Sequence, residues 1–432
     1  MINDITLIIA AMLAVTVFVV PRRYFLLPYI VAACLIPSDQ RIIIMNLDFT
    51  TLRILIAAGI LRMFMRAEIV SIKWNKFDKL FLIWMICRAA VYVLLWQDIS
   101  SFVNRSGMLY DALGLYWLFR QNIRSWEDVR RAAVIFAFAA LVTVPMIGFE
   151  WLTGHNPFSV LGRVSTELRE GRYRCEGAFP HSIMLGLFWA TLAPVFVGLA
   201  VADNRRKLYI AATAAVIFIV TATTSSTPVA ILIEILLLLA LFTYRQYGRW
   251  IFYGLCALGV LLHLVMNAPV WHLIARVNIV GGSTGWHRYH LIDQTIKHFG
   301  EWAILGTKNT IQWGWGMEDI TNQYVLEGVR GGLISLVLLV ALLVMAVRIF
   351  GIYSLYPMPP KRQWFMWCLC VAMLGHCLSF IGVSYFGQIM MVLYMMFGIA
   401  ALAYETPIPK SKPAVISLVA GKKKNGYIYS YR

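Results

Sequence analysis

Residues 329–350 read VRGGLISLVLLVALLVMAVRIF. From Leu333 to Val347 the run carries no charge, and Ser335 is its one hydroxyl. Roughly 20 mostly apolar residues are what a helix needs to cross the hydrocarbon core of a bilayer. The helix is favoured there because it satisfies every backbone N–H and C=O without water. This stretch therefore predicts a transmembrane helix. Working outward, comparable runs fall at 5–20, 24–37, 50–65, 79–96, 104–120, 131–149, 181–201, 208–224, 228–244, 250–266, 364–382 and 386–404. With 329–350 they make thirteen spans; the first two are short, and one broken element in their place would give twelve. The chain is 60% hydrophobic and 14% charged over 432 residues, whereas a soluble domain is nearer half apolar and a quarter charged. The expected fold is an all-α polytopic transmembrane bundle of about 12–13 spans. It forms one domain over residues 1–404, with a flexible basic cytoplasmic tail over 405–432.

The net charge of +17 does not point to nucleic acid. The basic residues gather in short connectors: Arg22-Arg23, Arg62 to Lys79, Arg120 to Arg131, Arg205 to Lys207, Arg245 with Arg249, Lys361-Arg362 and Lys422 to Lys424. These alternate with the spans as the positive-inside rule requires, placing the connectors in the cytoplasm and the N-terminus outside. The lysine run of the tail suits an anionic inner leaflet. Of seven cysteines, six fall within predicted spans; Cys175 stands alone and forms no internal disulfide.

Two segments, about 150–180 and 267–328, are too long and polar to be simple connectors, and topology places both outside. Within the second, Trp286 to Phe299 reads WHRYHLIDQTIKHF. Tyr289, Ile292, Ile296 and Phe299 share one helical face and His287, His290, Gln294 and Lys297 another, which predicts an amphipathic helix against the membrane or capping the bundle. Gly281 to Gly285 is its flexible lead. Six of the eight histidines lie in or beside the two loops, with Arg163, Arg169, Arg172, Arg174, Arg276, Arg288, Lys297, Lys308 and Arg330. Arginine forks match phosphate oxygens, so an anionic, phosphorylated substrate is the expected ligand. The sharpest local signal is Arg172-Tyr-Arg174-Cys-Glu-Gly177-Ala-Phe-Pro180-His181, where two arginines precede the start of a span; a helix N-terminus adds to an anion site.

These segments resemble the O-antigen ligase and O-antigen (exopolysaccharide) polymerase family of bacterial inner-membrane proteins. Arg174, Gly177 and Phe179 fit that family's Arg-x-x-Gly-x-Phe-x-x-Pro-like motif, with Pro180-His181 in altered order. The late outer loop fits through Arg288, Trp302 to Gly306, Thr321-Asn322-Gln323-Tyr324 and Gly328 to Gly332. The resemblance covers mainly residues 170–345. It implies a metal-independent inverting glycosyltransferase that acts on undecaprenyl-pyrophosphate-linked glycans and a glycan acceptor, within a polysaccharide assembly system. Arg174 and Arg288, helped by Arg172, would hold the pyrophosphate, and Asn322 and Tyr324 would position acceptor or loop. Two departures stand out. The family histidine before Asn is Thr321, and a Ser-Arg ending is replaced by Ser225-Ser226-Thr227-Pro228. With that histidine missing, His287, His290 and Asp319 become the candidates for proton transfer, and polymerisation is favoured over ligation. No cofactor or metal is expected: no Asp-x-Asp motif occurs, and His287-x-x-His290 lacks a third ligand.

Arg88, Asp111 and Glu234 fall inside predicted spans, where charge is costly and faces a partner or a cavity. An Arg88–Asp111 brace between neighbouring helices is expected; a polar pathway through all three residues would instead make the protein a transporter or flippase of lipid-linked sugars.

Overall fold

The computed structural model describes residues 2–44, 47–163, 166–169, 171–276 and 285–406. The predicted glycine lead at 281–284 and the basic tail beyond 406 lie outside these. The chain forms α1 (Asp4–Val19), α2 (Leu27–Leu35), a hairpin of β1 (Arg41–Ile44) and β2 (Leu47–Thr50), then α3 (Thr51–Met65), α4 (Lys76–Trp96), α5 (Ile99–Asn122) and α6 (Trp126–Thr153). A second hairpin pairs β3 (Glu167–Arg169) with β4 (Arg172–Arg174). There follow α7 (Ser182–Ala202), α8 (Arg206–Ala222), α9 (Ser226–Ala240), α10 (Gly248–Val265), α11 (Gly285–Lys297), the single turn α12 (Phe299–Trp302), α13 (Gln323–Leu355), α14 (Pro360–Gly382) and α15 (Ile389–Glu405). It is an all-α, membrane-embedded bundle. Among the described residues six helical runs are long and apolar enough to span a bilayer, and one of them, Ser226–Val265, is α9 and α10 joined through a 3-10 segment.

Two sets of contacts define the ends of the bundle. At one end, Arg22 donates to the Gln121 carbonyl, Arg120 bridges Asp78 and Glu405, and Arg62 caps the last carbonyls of α1 at Val17 and Val20. At the other, Asn3 and Gly162 meet the Gln40 side chain, and both long loops gather. Residues 22–40 therefore pass from end to end although α2 holds nine residues, about 13 Å of helix. The 3-10 link after α9 bends the run back: Arg245 within it donates to Ser354 O, and beyond α10 Trp271 meets Asp293 of α11.

α7 and α14 form the centre. α7 is apolar all round and buried on nearly every face, as a helix without a polar stripe must be. Small residues bring its neighbours close. Gly198 lies against Cys368 of α14, and a methyl added at Gly186 would sit 2.5 Å from Pro228 Cβ at the start of α9. That contact fixes where Ser225 and Thr227 stand.

The membrane charges pair differently from the sequence expectation. Arg88 does not brace Asp111: it lies 3.2 Å from Glu327 of α13, while Asp111 receives Arg53 of α3 at 2.8 Å. α4 packs on both α13 and α5, so the pairing follows from which side-chain faces meet and not from which spans are consecutive.

Candidate functional site

The first loop is built on Glu150, at the end of α6. Its carboxylate accepts from the backbone N–H of Glu176 and of Gly177 at 2.9 and 3.0 Å, and from the Thr166 hydroxyl. Asn156 donates to Gly177 O. Gly177 adopts φ +55°, a left-handed turn that suits glycine. Arg163 pairs with Glu176. Burial nevertheless outweighs that cation and pushes the Glu176 carboxyl up to about 7. The loop is thereby tied down at both sides of the Arg174 motif.

Within the hairpin, Arg174 stands opposite Glu167 and pairs with it at 2.6 Å. Its Nη2 donates to Ser225 Oγ at 2.8 Å, and its Nε is buried without a partner. Strand β4 docks on the α8–α9 turn through Cys175 N to Ala222 O and Thr224 Oγ1 to Tyr173 O. Thr224 holds φ +44°, a strained value for a β-branched residue. Arg288, on α11, comes from the other side: Nη2 donates to Thr227 Oγ1 at 2.7 Å and Nε to Gly382 O at 3.2 Å. Its Nη1 has no hydrogen-bond partner among the described residues. Burial lowers this guanidinium from its ordinary value. The two arginines thus flank the start of α9, on hydroxyls two residues apart. Arg172 does not join them and is exposed on the hairpin.

His181 caps α7: its Nδ1 accepts from Ile183 N at 3.0 Å. Burial, then the Arg174 and Arg163 charges, lower its pKa, with Glu167 and Asp319 opposing. The neutral ring that results has its proton on Nε2, because Nδ1 is committed as an acceptor. Its Nε2–H is a donor rather than a base, on a ring near enough to Arg174 and Arg163 to feel their charge.

The three residues expected to move protons part company. His287 Nε2 meets the Asp319 carbonyl at 3.0 Å, and its Nδ1 lies over Gly316. His290 stacks on Trp286 and lies over Gly314. Both rings pack the 314–319 segment. The Asp319 side chain instead lines a cavity of about 630 Å³ and acts electrostatically on His181. Asn322 and Tyr324 anchor helices: Asn322 caps α13 and donates to Ile381 O, and the Tyr324 hydroxyl donates to Cys377 O. Asn322 and Arg288 satisfy the carbonyls of Ile381 and Gly382 at the C-terminal end of α14, where backbone acceptors go unpaired, and Tyr324 bonds more than a turn earlier. The hydroxyl of Thr321, at the position of the resembling family's histidine, is buried without a partner.

The sequence reading missed Ser225 and Thr227 as the meeting point, and His181 as a donor. Ser-Ser-Thr-Pro is an ordinary helix start, and nothing in it reports what stands opposite. Among the described residues no group of three or more His, Cys, Asp or Glu is arranged to hold a metal ion. Comparison of the chain with protein-family models gives no match, and comparison with curated proteins gives none.

Proposed function

We propose that the chain is a membrane glycosyltransferase that holds the diphosphate of an undecaprenyl-pyrophosphate-linked glycan between Arg174 and Arg288. The observation that carries this reading is the convergence of two arginines, one from each long loop, on Ser225 and Thr227. The leaving group is already activated, so charge stabilisation is what the transfer needs, and guanidinium groups supply it. His181 Nε2–H adds a donor on the same side. The acceptor hydroxyl oxygen attacks the anomeric carbon while its proton passes to the Asp319 carboxylate. The bond from anomeric carbon to phosphate oxygen breaks, and its electron pair leaves on undecaprenyl pyrophosphate, with inversion at carbon. Thr321 in place of histidine favours polymerisation of repeat units over ligation to an acceptor. The basic connectors at the end remote from the long loops support, by the positive-inside rule, a cytoplasmic location for that end and an outward site on a bacterial inner membrane.

The rival reading, a transporter of lipid-linked sugars, draws support from the cavity between Arg88 and Asp111. Glu234 is not among the residues lining it. Purified protein supplied with a defined undecaprenyl-pyrophosphate oligosaccharide separates the two. Longer or transferred glycan is expected from wild type, with turnover lower by on the order of a hundredfold in Arg174→Ala and Arg288→Ala and a comparable loss in Asp319→Asn. Wild-type turnover in both arginine variants overturns the site; lipid moved across vesicles without new glycosidic bonds overturns the enzyme.

A further inference from the structure

Arg88 of α4, Arg105 of α5 and Arg330 of α13 lie close enough to act on one another electrostatically. Glu327 is the one carboxylate within ion-pair distance of any of them among the described residues. It lies 3.2 Å from Arg88 Nε, too oblique for a hydrogen bond, and both atoms are left without one. The other Glu327 oxygen accepts from Trp84 Nε1. Asp111, on the same cavity, is committed to Arg53, and Glu318 and Asp319 also line the cavity without forming an ion pair with the three arginines. Arg105 is 4% exposed; its Cζ lies 3.4 Å from the Tyr92 ring centroid, its Nη1 donates to Met108 Sδ at 3.0 Å, and its Nε has no partner. Arg330 makes no hydrogen bond or ion pair with any described residue, and it lines the cavity with Arg88.

Two buried guanidinium groups, Arg88 and Arg105, and an exposed one, Arg330, thus have Glu327 as their one ion-pair carboxylate among the described residues, in a bundle where uncompensated buried charge is expensive. Arg88 and Arg330 line the cavity; free guanidinium N–H groups beside a cavity are filled by oxyanions, and about 630 Å³ is within the usual range for a small-molecule site. We propose that this end of the cavity is a second anion site, for a phosphate or diphosphate group, distinct from the Arg174–Arg288 pair and independent of the glycan reading. The positive excess around Arg88, Arg105 and Arg330 suits a phosphate oxyanion. A lipid headgroup and a soluble phosphate share this chemistry.

The test uses the full-length protein and Arg330→Gln, which breaks no hydrogen bond. Arg174→Ala serves as background, so that pyrophosphate bound there belongs to the cavity. By calorimetry in detergent, Arg174→Ala is expected to retain a saturable pyrophosphate-binding event. Adding Arg330→Gln should weaken that event by at least about tenfold, the worth of one charge-assisted contact. In nanodiscs of phosphatidylglycerol, native mass spectrometry of wild type and Arg330→Gln reads the lipid source without the Arg174 change. One tightly held anionic lipid fewer in Arg330→Gln, with no pyrophosphate binding, assigns the site to a headgroup. Equal lipid and equal pyrophosphate binding with and without Arg330, or neither ligand bound by wild type, overturns the proposal.

Discussion

His181 holds its imidazole in one tautomer because the N-cap bond from Ile183 N consumes Nδ1. Capping and donation are therefore separable. Asparagine caps as well as histidine but offers no donor at the Nε2 position. His181→Asn is expected to keep the unfolding temperature of wild type while glycan transfer falls, whereas His181→Ala also loses about 1 kcal/mol of helix start, read as a lower melting temperature in detergent. Equal activity in His181→Asn and wild type would remove Nε2–H from the site. The arginines of the site were legible as residues, since each sits in a long polar segment with a turn or helix signal beside it. Their partners were not. Nothing local to Ser225 or Thr227 distinguishes them from other helix-opening hydroxyls, and Arg174 and Arg288 reach them across 51 and 61 residues of chain.

At the scale of elements, α13 is two helices in one. Gly332 interrupts it at φ +69°, ψ 176°, backbone that glycine alone takes readily. The break lets Thr307 N reach Val329 O and Leu333 N reach Ala303 O, so the loop backbone completes hydrogen bonds that the helix gives up. A methyl at Gly332 would lie 2.3 Å from Ile304 O. Gly332→Ala is therefore expected to destabilise by more than about 2 kcal/mol, measured as a drop in melting temperature and in folded yield; a variant as stable as wild type would mean that the break is dispensable. The amphipathic helix expected at Trp286 to Phe299 forms as α11 but turns differently. Leu291 and Thr295 are buried, while Ile296 and Phe299 are half exposed. Periodicity finds the helix, yet the apolar face does not name the core. Beside a bilayer, apolar side chains are as stable against lipid as inside the protein, so the inward face is settled by what bonds there, Arg288 above all.

Over the whole molecule, the pairing of charges decides which helices are locked together. Glu327 is fully buried and serves Arg88 and Trp84 from another helix. Glu327→Gln leaves three guanidinium groups with no carboxylate, and breaking a buried pair from one side costs about 3–5 kcal/mol. Its melting temperature in detergent should fall well below wild type, while Arg330→Gln, which removes one of the surplus charges, should not lower it. The reverse order would mean that the cluster is not short of negative charge. The sequence by itself determined the all-α bundle, because spanning length and the burial of backbone groups in lipid are local requirements; its thirteen apolar stretches become six spanning-length runs among the described residues, with 228–244 and 250–266 joined in one. It also named Arg174, Arg288 and Asp319. The tertiary structure alone decided that two of these flank the start of α9, that Asp319 and not His287 or His290 faces the cavity, and that Arg88 turns to Glu327 instead of Asp111. Those choices depend on which helix faces meet, and in a chain whose helices are apolar on nearly every side, small-residue contacts such as Gly186 on Pro228 set the meeting and hydropathy does not.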